Sequence, residues 1–241
     1  NIINLADGII TVSNHSKNDI LKFFPIDKEK IFVTPLAADD KYKPLEKDKC
    51  RYNIKTKYNI NNPFILYIGG FSPRKNVSSL IAAFSKIHKN LDRNYDLIIV
   101  GSNKDDLDVL KNLSMDLNIK DNVKFTGFVE EEMLPVFYNA CDIFIYPSLY
   151  EGFGLPPLES MSCGTPVITS NTSSIPEVVG DGGILINPFD TKSLMYSIEA
   201  LLNDESIREA LSFKALKQAS KFSWEKTSEN TIKAYKKILD M

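Results

Sequence analysis

Three cysteines, two histidines and one tryptophan are all that 241 residues supply of those types. Cys50, Cys141 and Cys163 are odd in number and far apart, with no Cys-x-x-Cys. That excludes a disulfide framework and fits small buried thiols in a reducing, cytoplasmic setting. His15 and His88 stand far apart with no carboxylate spacing to complete a ligand set, so no protein-built metal site is expected. The longest apolar runs are five or six residues, far short of the roughly 20 that span a bilayer, and no basic-then-apolar leader opens the chain. Neither charge dominates: 29 basic against 31 acidic residues give a net charge of −2. Without a basic stripe, a nucleic-acid partner is excluded. The first residue is Asn rather than Met, which reads as a processed product or an excised piece.

What is present, 43% hydrophobic and 25% charged residues, describes a soluble globular protein. From residue 63 onward, short β-rich runs alternate with segments of helical period. The runs are Phe64–Ile68, Leu97–Val100, Val123–Phe125, Ile143–Tyr146, Pro166–Ile168 and Ile184–Ile186. Most are apolar at consecutive positions, the mark of strands buried on both faces, so the expected fold is α/β with a doubly wound, Rossmann-like parallel sheet. Helices are expected over Val77–Lys89, Leu107–Leu117, Glu130–Ala140, Leu155–Ser162 and from Thr191 onward. Trp224, Ser228, Thr231, Tyr235 and Ile238 mark one stripe of a last helix, expected to cover residues 1–33. Residues 1–45 stand outside the repeat as a βαβ remnant: a strand at Gly8–Val12, a helix capped by Ser13 or Asn14, and a strand at Ile31–Val33. Pro35–Lys49, polar and containing Pro44, reads as a linker. The expected division is 1–45, 46–222 and a C-terminal helix over 223–241.

Three segments could carry chemistry. Gly69-Gly70-Phe71-Ser72-Pro73-Arg74-Lys75-Asn76 follows a strand and precedes a helix. Glycines there admit close backbone approach, and a helix N-terminus with two cations can neutralise a diphosphate. An ordinary βα turn with solvated charges is the bland alternative. The spacing is neither a Walker A loop nor Gly-x-Gly-x-x-Gly. Tyr150-Glu151-Gly152-Phe153-Gly154-Leu155-Pro156-Pro157-Leu158-Glu159 leaves backbone N–H groups unpaired at a helix mouth beyond the strand ends, where sugar or phosphate oxygens bind. Its two glutamates can accept hydrogen bonds from hydroxyls in one cleft, although spacing alone favours a cap and a solvated face. The third segment, Ser170–Gly183, is hydroxyl- and glycine-rich, and on its own reads simply as a soluble loop.

Together and in this order, the three segments resemble family 4 of the retaining glycosyltransferases, whose two Rossmann-like domains make the GT-B fold. Ser148–Val167 is similar to the Glu-x7-Glu segment of that family almost throughout, and Asn122–Gly127, Ser174–Glu177 and Gly180–Gly183 also resemble it. The resemblance runs from about residue 7 to the end and implies the donor-binding half of a GT-B fold. It implies that Glu151 contacts donor-sugar hydroxyls and that Glu159 holds the ribose. Backbone at Gly152, Phe153, Gly154, Leu155 and Pro156 would meet sugar and phosphate. Lys75 would bind the diphosphate, and Gly127, Phe128 and Val129, with Gly101 beside them, would carry the base. Where similar enzymes have an arginine, this chain has Gly70, and Arg74 is the candidate replacement. Glu151, Lys75 and Arg74 are thus the expected catalytic set.

The implied chemistry is metal-independent, cofactor-free transfer of a hexose from a nucleoside diphosphate to an acceptor hydroxyl, with retention, in surface polysaccharide synthesis. GDP-mannose is the expected donor, with UDP-glucose and UDP-N-acetylglucosamine as alternatives. The acceptor-binding N-terminal domain is not among these residues, so the chain is expected to bind donor without transferring it, and the parent could touch a membrane peripherally. A stand-alone nucleotide-sugar-binding module and a nucleotide-sugar epimerase of the same fold are the rival readings, and hydrolysis by the two glutamates is the weaker enzymatic one.

Overall fold

The structure, a computed structural model, describes residues 2–101 and 104–240. It opens with β1 (Ile9–Thr11), α1 (Asn14–Phe23) and β2 (Ile31–Val33), and β1 pairs parallel to β2. Ser13 caps α1, its Oγ accepting from the Ser16 N–H. The βαβ remnant read from sequence is therefore present.

The next element was not expected. α2 (Lys47–Tyr58) begins inside the segment read as a linker. Only Cys50 and Ile54 of its residues are buried, too few to mark a helical period, and it is held from outside by packing on α5 (Leu134–Ala140). The main sheet follows, from β3 (Phe64–Ile68), β4 (Asp96–Val100), β5 (Val123–Gly127), β6 (Ile143–Tyr146), β7 (Val167–Ser170) and β8 (Ile184–Ile186). Between and after the strands come α3 (Val77–Ile87), α4 (Lys104–Asp116), α6 (Leu155–Ser162), α7 (Ile175–Val179), α8 (Thr191–Asn203), α9 (Glu205–Ala219) and α10 (Trp224–Leu239).

The six strands are all parallel in the order β5-β4-β3-β6-β7-β8. α3 contacts both α4 and α8 in one layer, while α5, α6, α7 and α9 with α2 form the other. Every residue of β3, β4, β6 and β7 is buried, which is why these strands show no apolar–polar alternation; Asp96, Thr169 and Ser170 are their buried polar residues. The chain leaves β3 toward β4 on one side and returns to β6 on the other, so the order reverses between β3 and β6. These two strands share only two register pairs, Ile65 with Ile143 and Leu66 with Phe144, whereas β3 and β4 share five. Beyond those pairs the C-terminal ends of β3 and β6 are no longer bonded to each other, and the turns that follow them border the crevice between.

α10 does pack on the N-terminal piece, through part of the expected stripe. Thr227 Oγ1 donates to the Pro35 carbonyl at 2.6 Å, Ala234 is buried, and Ile238, a member of that stripe, lies against Gly8. Trp224 and Tyr235, placed on the packed face by their spacing, are about half exposed. The packed row runs through Thr227, Ala234 and Ile238, so its centre is displaced from the aromatic members of the expected stripe. Among the described residues, no helix is long and apolar enough to cross a membrane.

All three cysteines are free and buried. Burial pushes the Cys163 thiol up to about 12, with the Glu159 charge adding to it, and burial raises Cys50 and Cys141 as well. Thiolate is the reactive form. Iodoacetamide at pH 8 should therefore leave the folded chain unmodified by mass spectrometry and alkylate all three cysteines in denaturant; labelling of Cys163 before unfolding would contradict this.

Candidate functional site

The site is built from the turns after β3 and β6, on either side of the point where the strand order reverses. Gly69, Gly101 and Gly127 lie at the ends of β3, β4 and β5: the Gly69 N–H donates to Val100 O and the Gly101 N–H to Gly127 O. Gly101 has φ +151°, and a Cβ there would sit 2.0 Å from the Gly69 carbonyl oxygen, so only glycine permits this approach. Tyr67 donates its hydroxyl to Gly70 O at 2.7 Å and so fixes the turn. Pro73–Lys75 forms a single 3₁₀ turn, and Asn76, in the left-handed region at φ 56°, leads into α3 while its amide donates to Pro147 O and Pro188 O.

This turn delivers Lys75 and Arg74 to Glu151. One carboxylate oxygen, Oε1, lies 2.6 Å from Lys75 Nζ, 3.0 Å from Arg74 Nη1, 2.7 Å from Ser148 Oγ and 3.0 Å from the Tyr146 hydroxyl. Among the described residues, Oε2 has no partner. Lys75 also donates to the Tyr146 hydroxyl at 2.5 Å and sits 5.0 Å from the centre of that ring. Burial alone would raise the Glu151 carboxyl, but the bonds from Lys75, Ser148 and Tyr146 outweigh it and hold it below the usual glutamate value. The carboxylate is charged at neutral pH, and its contribution to stability is lost only as pH falls below the ordinary value of 4.5 toward the depressed one. Arg74 further bonds the Tyr150 carbonyl, so both cations span from the first turn to the second. At Gly70, where the resemblance leads one to expect arginine, a Cβ would meet nothing within 4 Å, and the second cation at Glu151 is Arg74.

The loop from Tyr150 to Phe153 has its carbonyls occupied by hydroxyls. Ser174 Oγ is within bonding distance of Glu151 O (2.9 Å) and Phe153 O (2.8 Å), Ser13 and Ser16 reach Gly152 O, and the Glu151 N–H donates to Ser173 Oγ. Among the described residues, the N–H groups of Gly152, Phe153, Gly154 and Leu155 have no partner. Gly154, at φ +115°, turns the chain into α6, whose N-terminus adds partial positive charge. The Phe153 ring is buried edge-on to Phe222 at 5.9 Å, so that residue faces a ligand with its backbone alone. Val129 is buried too, while Phe128 is 81% exposed beside Gly127.

Glu159 does not join the Lys75 cluster. Its Oε2 accepts from the buried Tyr138 hydroxyl at 2.9 Å, next to Tyr42. Burial raises its carboxyl above the usual value despite the bonds from both tyrosines and the charge of Lys41. His15 lies in the first turn of α1, 3.4 Å from Asp19 and edge-on to Tyr150. His88, just after α3, is half-buried against Phe84.

Tyr146, Ser148, Ser173 and Ser174 were not singled out individually as site residues. The signal for Tyr146 was there: a phenol ending a buried strand must find a polar partner at its rim.

The family model described as Glycosyl transferases group 1 matches residues 51–219, which include both turns, the Glu151 loop and Glu159. The chain belongs to this family. It is 39% identical over 232 residues to the O-antigen chain mannosyltransferase B of Escherichia coli, covering 96% of this chain and 61% of that protein. It is 31% identical over 237 residues to the serotype-specific mannosyltransferase WbdA of Escherichia coli, covering 97% of this chain and 29% of that one. The chain thus spans about three fifths of the first relative and under a third of the second. The crystal structure of Anabaena HepE in complex with UDP-glucose superposes with a TM-score of 0.83 at 21% identity, over 98% of this chain and 64% of that one. The family's sheet in this chain is accordingly one Rossmann-like half of a GT-B fold.

Proposed function

We propose that this chain is the donor-binding part of a hexosyltransferase that moves mannose from a nucleoside diphosphate to an acceptor hydroxyl, with retention, in surface polysaccharide synthesis. The observation that carries it is the convergence of Lys75 and Arg74 on Glu151 across the β3/β6 crevice, where ligands of doubly wound sheets bind. Two cations at the first turn match a diphosphate leaving group, whose developing charge is the main electrostatic task of the reaction. The unpartnered Glu151 Oε2 and the free amides of Gly152–Leu155 offer an acceptor and several donors, the complement of a sugar's hydroxyls. The base would rest at Gly127, Phe128 and Val129, near Gly101, and Glu159 would receive ribose hydroxyls. HepE, of the same fold, holds UDP-glucose, which supports a nucleotide sugar; relatives named mannosyltransferases support GDP-mannose among them. In this reading the chain binds donor and does not transfer by itself.

The test is a thermal-shift titration of the chain with GDP-mannose, UDP-glucose, UDP-N-acetylglucosamine and ADP-glucose. A ligand at a hundred times its dissociation constant adds about 2.7 kcal/mol, which raises the midpoint of a domain this size by roughly 5–10 °C. GDP-mannose is expected to give the largest shift at equal concentration. A larger shift with a UDP-sugar would replace the donor, and no shift with any of the four would overturn the reading.

A further inference from the structure

The donor loop is held from outside its own domain. α1 buries none of its ten residues fully, Ile20 and Leu21 being half-buried, so apolar packing holds it only in part. Polar contacts add to it, and they converge on the loop. Glu177, on α7, uses both carboxylate oxygens on the first turn of α1: Oε2 accepts from the Asn14 N–H at 2.8 Å and from Asn14 Nδ2 at 3.0 Å, and Oε1 accepts from the His15 N–H at 2.7 Å. Two of the four N–H groups that any helix leaves unpaired at its start are thereby satisfied, by a charge of the sign that end prefers. The same turn presents Ser13 Oγ at 2.8 Å and Ser16 Oγ at 3.2 Å to the Gly152 carbonyl. One turn on, Asp19 takes the Tyr150 hydroxyl.

We propose that Glu177, Ser13 and Ser16 are positioning residues that make the geometry of the sugar-facing loop depend on where residues 9–33 sit. The peptide unit supplies the link. It is planar and trans, so a Gly152 carbonyl drawn toward α1 points the Phe153 N–H the opposite way, away from α1. Release of α1 from Glu177 frees that carbonyl and, with it, the direction of the amide. The phosphate-side groups, Lys75 and Arg74, hang from a different turn and meet the loop only at Glu151 and the Tyr150 carbonyl, ahead of the braced Gly152 carbonyl. The inference rests on the donor reading only for what the amide meets; the brace itself is independent of any ligand.

The experiment measures hydrogen exchange of the partnered amide of the loop, the Glu151 N–H on Ser173 Oγ, in the unliganded chain, for wild type, Glu177→Gln, Glu177→Asp and the Ser13→Ala/Ser16→Ala double variant. Loss of a helix cap is typically worth about fivefold in a local equilibrium, so loop exchange should quicken by about that factor in Glu177→Gln and in the double variant. Amides of β3 and β4 should keep their wild-type rates, and Glu177→Asp should recover part of the protection. In parallel, GDP and GDP-mannose are titrated: the variants should lose the advantage of GDP-mannose over GDP while their affinity for GDP stays at the wild-type value. Unchanged loop exchange in Glu177→Gln would overturn the proposal. So would exchange that rises across the sheet in step with a lower melting temperature, since that describes a merely structural contact. A wild type that binds neither ligand while its loop still responds to Glu177→Gln would sustain the brace and overturn the donor reading instead.

Discussion

Lys75→Ala is expected to abolish the stabilisation that nucleotide sugars confer while leaving the chain folded. Lys75 is the less exposed of the two cations, with 14% of its side chain accessible against 46% for Arg74, and it bonds both Glu151 and Tyr146. A charge-assisted bond from such a group contributes about 1.5–3 kcal/mol, so affinity for the diphosphate should fall on the order of a hundredfold. Removing it also strips Glu151 of its strongest partner, leaving Arg74, Ser148 and Tyr146, and the carboxyl should move up toward its ordinary value. The part of the acid limb that Glu151 contributes below pH 4.5 in wild type should then flatten in a stability-versus-pH curve. Arg74→Ala should weaken binding less, because its guanidinium is largely solvated and screened. Isothermal titration of the two variants checks the ranking; a Lys75→Ala chain that still binds with wild-type affinity would remove the diphosphate from this turn.

Glu159→Gln should move stability and binding in opposite directions. Burial raises the Glu159 carboxyl, so the folded state favours its neutral form. A group of that kind helps the fold below its unfolded pKa and loses that help as pH rises through the folded value. At pH 7 the raised carboxyl costs the fold stability that glutamine does not, and the variant should melt at or above the wild-type temperature, the advantage disappearing near pH 4. Glutamine keeps one acceptor for the Tyr138 hydroxyl but lacks the charge that strengthens bonds from ribose hydroxyls, so nucleotide affinity should drop about tenfold. Melting curves at pH 4 and pH 7 with and without nucleotide give both answers. A variant that is less stable at pH 7 and binds normally would make Glu159 a structural residue.

Much of this architecture is legible in the sequence because the sheet is buried on both sides. Phe64–Ile68 and Ile143–Tyr146 are apolar without interruption, and no amphipathic helix competes for such a pattern. α2 escaped because its Lys- and Asp-rich sequence buries only two side chains, and its existence depends on α5 being there to receive it. The turn carrying Arg74 and Lys75 and the Glu151 loop stood out through glycines, prolines and clustered charge. Their meeting did not, since an ion pair between residues 75 and 151 leaves no local trace. Glu177 is the sharpest case. In sequence it is one more acidic residue beginning a short helix, and its partners at positions 14 and 15 lie more than 160 residues away.

The two-residue pairing of β3 with β6 also bears on how the molecule comes together. Each half of the sheet, β3 to β5 and β6 to β8, is assembled from neighbours in the chain, whereas the seam between them joins Ile65 to Ile143, nearly eighty residues apart. Closing so long a loop costs entropy that only two register pairs and the helices beside them repay directly. Lys75 and Glu151 belong to opposite halves, so a chain in which the seam has not closed has no cation cluster, whatever the state of its strands. Recognition of the ligand therefore reports completed assembly, and a donor present during synthesis would favour the finished molecule over every half-formed one.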